Sequence, residues 1–78
     1  MSAPIPELHR VVLTQDLPEH GLKAGDVGTV VYVAADGQGY MVEFCTLTGA
    51  TVAVAPVEAG QVRRVEAREV SSARRIAG

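Results

Sequence analysis

The segment VGTVVYVA, residues 27–34, is the longest β-branched run in the chain, and it restricts the choice of fold more than any other feature. Side chains branched at Cβ are stiff at χ1 and suit a pleated, half-buried sheet better than a helix. The same preference runs through the whole sequence, where 13 valines stand against 5 leucines. Turn-forming residues cut every such run short: DLPEHG at 16–21, ADGQG at 35–39, LTGA at 47–50 and Pro56. Glycine supplies positive φ, proline presets φ, and aspartate bonds its own backbone, so each cluster marks a chain reversal.

Between the turns, HRVVLTQ (9–15), VGTVVYVA, YMVEFCT (40–46), TVAVA (51–55) and VRRV (62–65) read as five short strands. Val27 to Thr46 form a hairpin around Asp36-Gly37. Pro56 is expected to end the fourth strand, because proline cannot donate to a ladder, and VEAGQ is a one-turn connector to the fifth. The two prolines in APIPE make residues 1–7 a poorly helical lead-in. No segment reads as a helix long enough to cover a sheet. The expected fold is therefore all-β, a small barrel of about five short antiparallel strands over residues 8–65, since closure removes exposed strand edges. A tail, 66–78, follows. Ala67, Val70 and Ala73 stand at roughly helical spacing there, and a segment this short is expected to be frayed or a short helix.

Glu43 marks the wet face of the third strand, which puts Met41 and Cys45 outside and Tyr40, Val42 and Phe44 in the core. Leu13, Val30, Val52, Val54 and Val62 are expected to join them. Both faces of the second strand are apolar, so its register is left open. In GLKAGDVG, the residues Gly21, Gly25, Asp26 and Gly28 read as a structural turn. Gly25 supplies positive φ, and Asp26 accepts from the N–H two residues on. Gly28 marks a bulge or the close approach of another backbone. A phosphate-cradling loop would need a helix after it, and none follows.

Charge divides along the chain. Residues 1–59 hold Arg10 and Lys23 against seven acids, a net of −5, and residues 60–78 hold five arginines against Glu66 and Glu69, a net of +3. An acidic barrel opposes general nucleic-acid binding, which needs several cations to displace phosphate counterions. One cysteine, Cys45, permits neither an internal disulfide nor a cysteine-based metal site, and His9 and His20 are too separated to complete one. No nucleophile, base and orienting group stand at a recognisable spacing. Glu19 with Asp26, and Asp36 with Glu43, fall on turns or wet faces. No catalysis, cofactor or metal is expected. No stretch approaches the ~20 apolar residues of a membrane span, and the start MSAPIPELHR shows no export signal, so a cytoplasmic chain is expected. Val31, Val33, Met41 and Cys45 form a candidate apolar strip outside the central hairpin, suited to a protein partner or to a homodimer.

The stretch VVLTQDLPEHGLKAGDVGTVVYV, then YMVEF and TVAVAPVEAGQVRRV, resembles the short proteins of domain-of-unknown-function family 4926. Their pattern is L-P-x-x-G-L-x-x-G-D-x-G-T-V-V, then Y-x-V-E-F, then a closing V/L-R segment. The resemblance covers about residues 8–65 and implies an SH3-like barrel of bacterial origin, with no activity attached. LHRVV stands in place of the family's aromatic-acidic pair, and the arginine-bearing tail is additional. The Gly-x-x-x-Gly-Asp-x-Gly-x-Val arrangement is also similar to KOW-type barrels of ribosomal and transcription proteins. That likeness implies an alternative, a nucleic-acid contact through Lys23, Arg63, Arg64, Arg68, Arg74 and Arg75, against which the charge balance weighs. The reading from sequence is a non-catalytic interaction or accessory module.

Overall fold

A computed structural model describes residues 3–76 and contains five strands: β1 (Arg10–Leu13), β2 (Val27–Val33), β3 (Gly39–Cys45), β4 (Thr51–Glu58) and β5 (Val62–Arg64). Two single 3-10 turns, Pro18–His20 and Ala59–Gln61, are the helical content of the described residues. Every strand pair is antiparallel, in one open sheet of order β4-β3-β2-β1-β5. The expected all-β architecture is present.

The connection from β4 to β5 shows how this sheet must bend. In a flat sheet the two edge strands would lie about 19 Å apart, four spacings of ~4.8 Å. Only the turn Ala59–Gln61 joins them, and a 3-10 turn advances about 2 Å per residue, so the join spans roughly 8 Å. The sheet therefore curls until its edges approach one another at that end. Hydrogen bonding does not close the ring, because no ladder joins β4 to β5.

Curling gathers the inward residues of all five strands into one cluster: Val11 and Leu13, Val30, Tyr40, Val42 and Phe44, Ala55 and Val57, and Val62. The expected core residues Leu13, Val30, Tyr40, Val42, Phe44 and Val62 lie in it. Val54 does not. It pairs with Glu43 on the wet face, whereas Ala55 and Val57 oppose Val42 and Tyr40 and point inward. Val52 is the extra residue of a β-bulge between the pairs Phe44↔Ala53 and Cys45↔Thr51, and it packs on the core as a half-buried side chain. Pro56 does not end β4, which continues to Glu58. β4 is an edge strand, where a proline whose missing N–H lies on the outer side removes no ladder bond.

The strand bend expected at Gly28 lies elsewhere. Pairing between β1 and β2 is regular through Val11↔Gly28, and the bulge in β2 falls at Val31, between the pairs Val30↔Val42 and Tyr32↔Met41. What approaches Gly28 is not a backbone but side chains. A Cβ there would lie 2.5 Å from Val42 Cγ1 and 2.8 Å from Phe44 Cε1.

The lead-in also belongs to the domain. Ile5 is buried in the core and donates its N–H to the Tyr40 hydroxyl at 3.0 Å, and the N–H of Leu8 donates to the Val30 carbonyl at 2.7 Å. After β5 the chain makes one turn at Ala67 and Arg68, and no helix forms in the described part of the tail. Residues 77 and 78 lie outside the described residues.

Candidate functional site

The loop from β1 to β2 is built from the residues expected to shape a turn. Gly21, at φ 69°, ends the Pro18–His20 turn and donates its N–H to the Pro18 carbonyl at 3.1 Å. Leu17 and Leu22 exchange backbone hydrogen bonds at 2.9 and 3.1 Å, pinching off a small lobe. Gly25, at φ 95°, donates to the Leu13 carbonyl at 2.8 Å, and the N–H of Leu13 donates to the Asp26 carbonyl at 2.9 Å. The Asp26 side chain reaches backward rather than forward: Oδ2 accepts the N–H of Lys23 at 2.9 Å. Asp16 Oδ1 accepts the N–H of Ala24 at 2.9 Å, so two carboxylates brace the same loop.

A residue far along the chain completes the arrangement. Arg74 donates Nε–H to Asp26 Oδ1 at 2.8 Å, and its Nη2 donates to both Asp26 Oδ2 and the Gly21 carbonyl, the latter at 3.1 Å. This guanidinium holds the Asp26 carboxyl below its ordinary range; partial burial opposes the shift and the Lys23 N–H supports it. No local sequence pattern joins Arg74 to Asp26, which lie 48 residues apart.

The other candidate cations are dispersed. Arg63 forms a two-pronged pair with Glu69, Nη1–Oε1 at 2.7 Å and Nη2–Oε2 at 2.6 Å. With the N–H of Glu66 also donating to Oε1, the pair brings the Glu69 carboxyl down to about 2. Arg64 donates to the carbonyls of Ala3 and Pro4 at 3.3 and 3.4 Å. Lys23, Arg68 and Arg75 are exposed.

The apolar strip outside the central hairpin exists in altered form. Val31 and Cys45 are exposed, Cys45 as a free thiol, and Met41 is half-buried. Val33 turns inward against the core, because the bulge at Val31 shifts the rest of β2 by one residue. Sequence alternation missed the residues that this shift and the β4 register bring out, Tyr32 at 55 % exposure and Val54 at 47 %. Tyr32, Met41 and Pro56 form one row across three strands, and Thr29, Glu43 and Val54 form the next. Glu43 accepts the Thr51 hydroxyl at 3.0 Å.

The other half of the outer face carries the points where the tail is attached. Arg63, Val12 and Val27 lie in one row across β5, β1 and β2. The tail is tied to Arg63 at one end of that row and to Asp26, beside Val27, at the other. Val12, in the middle of that row, is only 5 % exposed although it lies outside the core cluster, whereas Val27 at the end of the row is 38 % exposed.

Among the described residues there is no buried polar or charged side chain and no group of three or more His, Cys, Asp or Glu able to hold a metal ion. No helix among them is long and apolar enough to cross a membrane. The surface thus offers two features, an open apolar half-face and a loop that grips a guanidinium. No curated protein and no solved structure matches the chain. Residues 7–64 match the family model described as Domain of unknown function (DUF4926). That span holds all five strands and the guanidinium-binding loop but not Arg74, and on it the chain belongs to the DUF4926 family.

Proposed function

We propose that this chain is a non-catalytic protein-interaction module whose partner docks on the outer face of β2, β3 and β4. The observation that carries this reading is the row Tyr32–Met41–Pro56 with Val31, Val54 and Cys45 around it, an exposed apolar group on β2, β3 and β4, whereas the tail is tied to Arg63 and Asp26. An aromatic ring among aliphatic side chains has the composition of an interface centre, and the one charge within the patch, Glu43, accepts the Thr51 hydroxyl. Nucleic acid fits the surface less well. Arg63, Arg64 and Arg74 are bonded within the chain, and residues 1–59 carry a net of −5.

The test compares the native chain with a Tyr32→Glu/Val54→Glu variant, both checked by circular dichroism. Affinity capture from the native host and size-exclusion chromatography with light scattering are run at micromolar concentration. Recovery of a discrete partner or a dimer by the native chain, lost in the variant, is the expected result. A lone monomer with no specific partner in either case overturns the reading, as does salt-dependent RNA or DNA binding lost on removal of residues 66–78.

A further inference from the structure

The loop that grips Arg74 is complete without it. Asp26 is oriented by the N–H of Lys23, Gly25 and Leu13 fasten the loop to β1, and Asp16 braces Ala24. Asp26 Oδ1, Asp26 Oδ2 and the Gly21 carbonyl then face outward as three acceptors. They take the Nε and Nη2 of one guanidinium. A planar fork suits this geometry, and a lysine ammonium cannot meet both carboxylate oxygens in the same way. Beside the acceptors lies a pocket lined by Pro18, Leu22 and Lys23 of the loop and by Ile76 of the tail, which is half-buried against it.

Little else holds the occupant. The tail has no regular structure among its described residues, and partly exposed ion pairs of this kind contribute modestly to stability. The receptor lies inside the family span 7–64, and the arginine that fills it lies outside. We infer that the 21–26 loop is a docking site for an extended protein segment carrying an arginine followed two residues later by an aliphatic side chain. Residues 74–76 occupy it in cis as a tethered competitor. The site makes no use of the apolar half-face, so either reading can fail alone.

The test uses the full chain with Arg74→Ala, which empties the loop, and a fluorescently labelled peptide of sequence SSARRIAG. Binding is read by anisotropy, with the amide NMR shifts of Gly21 and Asp26 locating it. Saturable binding to the Arg74→Ala chain is expected. The native chain should bind roughly 2–10-fold more weakly, since its own tail competes at an effective concentration of about a millimolar. Adding Asp26→Asn, which keeps an acceptor for the Lys23 N–H, should abolish binding, and a peptide with lysine for its first arginine should bind several-fold more weakly. A folded Arg74→Ala chain that shows no saturable binding at millimolar peptide, or binding indifferent to Asp26→Asn, overturns the inference. Concentration-dependent dimerisation of the native chain, lost in both Arg74→Ala and Asp26→Asn, would assign the loop to the tail of a second copy and overturn the partner reading.

Discussion

Gly28 sits between Val11 and the side chains of Val42 and Phe44, where the barrel wall has no volume to spare. The neighbouring inward positions on β4 are alanines 53 and 55, so small residues face the one phenylalanine ring. Gly28→Ala would drive a methyl group into Val42 Cγ1, a stiff, fully buried side chain that cannot rotate away. We expect the variant to lose about 1–3 kcal/mol of stability, measured as a fall in the urea midpoint at unchanged slope. The residues Tyr40, Val42 and Phe44 were legible in the sequence because one charged neighbour, Glu43, marks the opposite face. The reason for Gly28 was not legible, because the atoms that exclude a side chain there belong to another strand. Ile5 was missed for a similar cause. Two flanking prolines read as a lead-in, and only the tertiary bond to the Tyr40 hydroxyl makes it part of the core.

At the scale of elements, strand existence was readable and strand phase was not. The second and fourth strands each carry one extra residue, Val31 and Val52. A single bulge reverses the inside and outside of everything beyond it, which is why Val33 faces in and Val54 faces out. Pro56 illustrates the same limit from the other direction: its effect depends on whether β4 is central or at an edge, and strand order is not a local property. As an edge device, proline guards against pairing with another chain. Pro56→Thr is therefore expected to fold with stability within about 0.5 kcal/mol of the native chain. It should also associate more strongly as concentration rises, seen as an increase in mean mass by light scattering. Unchanged mass across the concentration range would count against a protective role for Pro56.

For the whole molecule, the tail and the domain should part under different conditions. The core holds no buried charge among the described residues, whereas the tail is fixed by Arg74 on Asp26 and by Arg63 on Glu69. Both carboxyls have folded values below their ordinary ones, 3.8 for aspartate and 4.5 for glutamate. Their contribution is thus fully present above those ordinary values and is lost as pH falls through the folded ones. For Glu69 that window runs from 4.5 down to about 2. Lys23 and Asp16 lie beside the first pair and Glu66 beside the second. Acidification toward pH 2 should release the tail while the strands remain paired, observed as narrowing NMR lines for residues 69–76 with the dispersed amide signals of β2 and β3 retained. Tail signals that stay ordered at pH 2 would contradict this account.

The short join between β4 and β5 leaves the cylinder with a slit. Two strand margins draw near at one end and share no hydrogen bonds, so the wall can widen along that line while β1, β2 and β3 keep all their ladders. A shell left unstitched along one seam concentrates any yielding there and leaves the remaining scaffold intact.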